Sequence, residues 1–127
     1  MSIRQQYGSA VRSATFAGDE IALFDDLGVK ASLDVTAVPG TDTVQLVLEE
    51  NVGTDIAGVR TDRWVQIPGA ACSARVAAGT DVLTVYPGIA AIANQAVNYA
   101  PASRVRLRVV HSAASAFTYG LRLETLD

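Results

Sequence analysis

Few residues in this 127-residue chain could do acid–base, nucleophilic or metal chemistry: one histidine, His111, one cysteine, Cys72, and 13 carboxylates. A zinc site assembled from several histidine and cysteine ligands needs more than these two residues supply. His111 falls in phase with Val105, Leu107 and Val109, which places it at the inward end of a strand as a hydrogen-bonded rim residue rather than a base. The acidic pairs Asp19/Glu20, Asp25/Asp26 and Glu49/Glu50 are adjacent in sequence. Neighbours on a strand point to opposite faces, so such pairs do not converge on one glycosidic bond. Counting alone does not exclude a Ser-His-Asp arrangement, but no segment has the form of a nucleophile elbow, a glycine-rich phosphate loop or a calcium loop. No catalytic, cofactor-binding or metal-ligating residue is assigned, and the expectation is a protein that is not an enzyme.

Composition turns attention to packing and partners. Half of the residues are apolar and 18% are charged, against about 25% charged in an average soluble domain. Such a chain fills a core and leaves apolar side chains for its surface. The net charge of −3 and pI of about 5.0 argue against a broad cationic surface, so no nucleic-acid partner is expected. A single cysteine forms no internal disulfide, which is compatible with synthesis in a reducing host cytoplasm. The first residues lack the apolar region of a signal peptide, and no apolar stretch approaches the roughly 18 residues of a membrane span. Neither secretion nor a membrane partner is expected.

The elements that must position these side chains are strands. Val29, Ala31, Leu33, Val35 and Ala37 alternate with Lys30, Ser32, Asp34 and Thr36, the period of a strand with one buried and one wet face. Pro39, Gly40, Thr41 and Asp42 supply turn chemistry, and a second strand follows at 43–50 with Val44, Leu46 and Leu48 inward, so the two read as a hairpin. Further strands are expected at 62–67, 72–76, 82–86, 104–111 and 116–126, with another candidate at 13–16. Roughly seven to eight short strands separated by turns predict an all-β fold, an antiparallel β-sandwich of immunoglobulin-like or jelly-roll-like type.

Two segments break the alternation. Residues 1–28 mix small, polar and acidic residues with isolated Phe16, Ile21, Leu23 and Phe24, and read either as a terminal strand and loop or as an N-terminal arm that docks on a neighbouring subunit. The sandwich domain then spans 29–127. Residues 87–103 carry no charge and are too rich in alanine and isoleucine for a disordered linker. This stretch either covers one end of the sandwich, with a helical turn at 89–93, or lies in an interface.

The last two strands, joined by a short connection at 112–116, read as a hairpin. A turn centred on Ala114 would set Val109 against Tyr119, Leu107 against Leu121 and Val105 against Leu123, with Arg106 opposite Arg122 on the other face. Like charges directly opposite need a carboxylate nearby, supplied by Asp34 or Glu49 or by a partner. If Val65 and Ile67 mark the core phase, Trp64 points outward, where it would be half-buried, a subunit contact or a sugar-stacking platform.

Three blocks, LDVTAVPGTDTVQLVLEE (33–50), VLTVYPGIAAIANQ (82–95) and RVRLRVVHSAASAFTYGLRLETL (104–126), together resemble small β-sandwich structural proteins of tailed bacteriophages. The resemblance runs from residue 29 onward and implies a virion component of the capsid decoration (cement) type. It implies a position on the capsid surface, the major capsid protein as partner, and a homo-oligomer, with a trimer favoured. Trp64, Ile89, Ile92, Tyr99, Phe16 and Phe24 are the candidate contact residues, with Arg106 and Arg122 as candidates for pairing with acidic groups on the shell. A tail or head-fibre accessory subunit and a carbohydrate-binding module, the latter using Trp64, Tyr86 and Tyr99, are the alternatives.

Overall fold

The structure, a computed structural model, describes the backbone of residues 2–127 and the side chains from Gln5 onward. Met1, at the head of the expected arm, lies outside the described residues. The chain is all-β. Twelve strands run in order: β1 (Ser2–Arg12), β2 (Phe16–Ala17), β3 (Ile21–Ala22), β4 (Gly28–Ala37), β5 (Val44–Asn51), β6 (Thr54–Ile56), β7 (Val59–Thr61), β8 (Trp64–Ala71), β9 (Gly79–Val85), β10 (Ala96–Val97), β11 (Arg104–His111) and β12 (Phe117–Leu126). They form two five-strand layers and a separate hairpin. One layer has the order β1-β12-β4-β9-β10, the other β2-β11-β5-β8 with β3 also on β11, and β6 pairs only with β7. All pairings are antiparallel except β9 with β10.

The alternation seen in the sequence builds the core between these layers. Val29, Ala31, Leu33 and Val35 of β4 and Tyr119, Leu121 and Leu123 of β12 face Leu46 and Leu48 of β5 and Val105, Leu107 and Val109 of β11 in one buried cluster. Each such aliphatic side chain, moved from water to full burial, contributes about 1.5–3 kcal/mol.

Two pairings differ from the sequence expectation. Residues 29–37 and 43–50 are strands, but β4 and β5 lie in different layers, and their connection crosses from one sheet to the other. The same is true of β11 and β12. The connection at 112–116 does not make a hairpin: β11 pairs with β5, and β12 pairs with β4 and β1. Val109 and Tyr119 therefore belong to opposite layers of the core rather than to one ladder. Short apolar runs carry the period of a strand but not the identity of its neighbour, because a tight connection can cross a sandwich as easily as close a hairpin.

Other boundaries move for local reasons. The expected break at Pro68-Gly69 is a bulge inside β8, where the register jumps from Glu49↔Gln66 to Val47↔Ala71 and Gly69 has φ 75°. Because β8 is an edge strand, Pro68 can lack an N–H without breaking a ladder. Residues 72–76 continue without forming a strand, apart from one bridge between Val44 and Arg75. The bidentate pair of Arg75 with Asp81, at 2.9 and 2.7 Å, closes the turn into β9. The helical turn expected at 89–93 is absent; Ile92 instead bridges to Ala96 through a turn with Asn94 at φ 62°. Within residues 1–28, β1 pairs along β12 of its own chain, while β2 and β3 cap opposite halves of β11.

Candidate functional site

At one end of the sandwich β3 and β5 stop while β8 and β11 begin: Ala22 pairs with Arg104, and Asn51 pairs with Trp64. The Leu23 amide donates to the Ser103 carbonyl at 2.7 Å, and the Leu27 amide donates to the Leu126 carbonyl at 2.9 Å, so the loop between β3 and β4 lies at this same end. The charge-free segment 87–103 closes it from the other side. Val97 and Tyr99 pack against the core. The buried carboxylate of Glu50 accepts from the Tyr99 hydroxyl at 2.6 Å and from the Ala102 amide at 2.8 Å. This hydrogen bond to Glu50 pushes the Tyr99 hydroxyl above its ordinary pKa.

From this end projects the β6–β7 hairpin. Its two-residue turn, Ala57-Gly58, has φ values of 54° and 78°, the two positive angles of a type I′ turn, whose twist matches the flanking strands. Its base is a polar clamp. The Asn51 side-chain oxygen accepts from the Gly53 and Arg63 amides at 2.9 and 3.1 Å, while the Asn51 amide donates to Asp62 at 3.0 Å. That amide is the main cause holding the Asp62 carboxyl below its ordinary pKa. Arg60 bonds Asp62 at 2.7 Å and forms an ion pair with Glu20, tying the hairpin to the loop before β3. Gly53 is required at the base, because a Cβ there would lie 1.7 Å from the Thr61 carbonyl oxygen.

The clamp holds out an apolar tip. Ile56 and Val59 face each other across the hairpin and are each 68% exposed. Val52, Leu27 and Phe24, the last 80% exposed, add large apolar side chains at the same end. Isolated exposed apolar residues are ordinary, but a group of five on one end, two of them on a projecting hairpin outside the core, has the form of a protein contact surface.

The other residues singled out from the sequence are dispersed. Trp64 is half-buried on the outer face of the second layer, with the Arg106 guanidinium 4.4 Å from its ring centroid. Arg106 does not oppose Arg122. It sits opposite Glu49 and donates to it at 2.8 Å, so the carboxylate partner comes from β5 of the same chain. Arg122 lies on the other layer, next to Glu124 at 3.6 Å. Phe16 packs edge-on against Tyr7 with ring centroids 5.1 Å apart and lies beneath the Arg12 guanidinium. Ile92 is half exposed beside a shallow apolar hollow of about 230 Å³, and Ile89 is half-buried. Phe24, in the loop between β3 and β4, is exposed at the hairpin-bearing end. Ile56, Val59 and Val52 had no expectation attached, although Ile-Ala-Gly-Val between threonines has the pattern of a short hairpin.

The groups with intrinsic chemistry are tied into the fold. His111 shares a 2.8 Å hydrogen bond between Nε2 and the Tyr119 hydroxyl, and its ring meets Phe117 edge-on. Burial lowers the His111 pKa and pushes the Tyr119 hydroxyl up to about 12. Cys72 is buried, and burial pushes its thiol up to about 11, away from the thiolate form a nucleophile needs. No protein-family model matches the sequence, and no curated protein matches it.

Proposed function

We propose that this chain is a non-enzymatic structural subunit that seats its hairpin-bearing end on another protein. Its resemblance to small sandwich proteins of tailed phages makes that partner the major capsid protein and the chain a capsid decoration protein. The observation that carries the reading is the β6–β7 hairpin, which exposes Ile56 and Val59 on a sheet separate from both core layers, on a base fixed by Asn51 and Gly53. A rigid projection with an apolar tip loses little conformational entropy when it docks, so the buried tip contributes more fully to affinity. A cement protein works by adding such contacts at sites repeated by the symmetry of the shell, with a trimer the expected assembly on local threefold axes.

The sugar-binding alternative has less support. Arg106 covers one face of Trp64, and Tyr99 is packed against the core with its hydroxyl on Glu50, so neither ring is an open platform. Binding to purified cognate heads lacking the protein tests the proposal. Saturable uptake at a fixed ratio to the major capsid protein, with a higher head disruption temperature, supports it. Absence of uptake contradicts it.

A further inference from the structure

One side of the sandwich is built from two segments without a charged residue, 64–74 and 87–103, in a chain of which 18% is charged. The fold brings them together. β8 ends one layer and β10 ends the other, and Gly69 of β8 shares the shallow apolar hollow of about 230 Å³ with Ala91, Ile92, Ala93, Ala96 and Val97. Ile92 is the knob on this side. Its amide donates to the Ala96 carbonyl at 3.0 Å, and its carbonyl accepts from the Gln95 and Ala96 amides at 3.0 and 2.9 Å, so its backbone is fixed. Its side chain is 52% exposed and lies outside the core cluster. Val82 of β9 is exposed beside Asn94 and Gln95 and extends the apolar surface. An ordered apolar side chain that the core does not use loses little freedom when a partner covers it.

The charges that border this side are paired or lie off it. Arg75 and Asp81 hold each other at 2.9 and 2.7 Å. Glu50 is buried beneath Tyr99 and Ala102, and Glu49, opposite Gln66, is bound to Arg106 and Arg108. Lys30 stands two strands in from β10, across Thr84 from Ala96. Arg63 belongs to the hairpin base, where its amide donates to Asn51.

We propose that this side is the contact between copies of this chain, with Ile92 of one copy seated on the apolar hollow of the next. The proposal rests on the reading of the chain as a structural subunit that assembles as a homo-oligomer, and it locates the contact between the copies. Two observations favour a second copy as the occupant. Residues near a symmetry axis meet their own counterparts, so a charge there would face its like; a chain of net charge −3 carries none in the segments that build this side. The knob and the hollow also lie next to each other on one surface, so copies related by a rotation each supply what the other receives. A partner of different sequence finds no charge here to pair with, and charge pairing is the usual source of specificity and steering between unlike proteins.

The test is the mass of the whole chain in sedimentation equilibrium over a range of concentrations, for the parent, for I92E and for I56E/V59K at the hairpin tip. The parent is expected to form one defined oligomer at or below about 100 μM. I92E, altered at an exposed position, is expected to keep the parent's melting transition and to associate at least about tenfold more weakly, because like charges from each copy would meet in the contact. I56E/V59K is expected to keep the parent's mass. A parent that stays monomeric up to about 1 mM, an I92E variant that associates as the parent does, or loss of the oligomer in I56E/V59K each overturns the proposal. Because the assay contains no shell, its failure leaves head binding through the hairpin end standing.

Discussion

Glu50 and Tyr99, 49 positions apart in the chain, meet at 2.6 Å where the charge-free segment folds back over the end of the sandwich. The Ala102 amide makes the second bond to the same carboxylate. Glu50 is buried, so its charge depends on these donors in place of water. Tyr99→Phe removes one hydrogen bond to a charged group, an expected loss of about 1.5–3 kcal/mol in denaturant unfolding, with faster amide exchange through 96–102. Unchanged exchange in that segment would show that the bond does not hold it down.

The turn of the β6–β7 hairpin places Ala57 at φ 54°, a left-handed angle that an L-residue with a Cβ adopts at a cost. Ala57→Asn supplies the residue that type I′ turns favour, and an increase in stability of about 0.5–1 kcal/mol is expected. A fall in melting temperature would contradict this turn geometry.

Gly53→Ala is expected to act in the opposite direction. Its new Cβ would overlap the Thr61 carbonyl oxygen, which is backbone and cannot swing aside. The hairpin must shift from the Asn51 clamp, so amide shifts at 52–63 and a stability loss of about 1–3 kcal/mol are expected, with core resonances of β4 and β12 little moved.

The His111–Tyr119 pair sets a pH window. Burial lowers the folded pKa of His111 from 6.5, so its contribution is present above that value and is lost as pH falls. Burial raises Tyr119 from 10.0 to about 12, so its contribution is present below 10 and is lost as pH climbs toward 12. Melting temperature should fall on both sides of this window. In His111→Gln the decline between pH 6.5 and 5 should be shallower than in the parent chain; an identical acid limb would remove His111 as a contributor.

The strands that carried an apolar–polar alternation, such as Val29 to Val35 and Val105 to Val109, were legible because one face of each is fully buried. Their pairing was not. The connections at 38–43 and 112–116 cross between layers, and turn residues do not state which sheet the next strand joins. β1 stayed open between a terminal strand and an arm because Tyr7-Gly8-Ser9-Ala10 interrupts its alternation with a bulge. Glu49 was named as one candidate partner for the arginines, since its position on a neighbouring strand could be inferred, whereas Glu50 is held by Tyr99 and Ala102 through a fold-back that no local pattern encodes. The hairpin tip was missed for a related reason: Ile56 and Val59 look like ordinary strand residues until the structure shows that they face no core.

The most direct measurement of the central claim is the uptake of an I56E/V59K variant, whose opposite charges face each other across the hairpin, by purified cognate heads, compared with the parent chain. Both positions are exposed, so the variant should melt within about 0.5 kcal/mol of the parent. The account expects saturable binding of the parent and a loss of at least about tenfold in affinity for the variant, because two charges would have to be buried in the contact. Equal binding of parent and variant would contradict it.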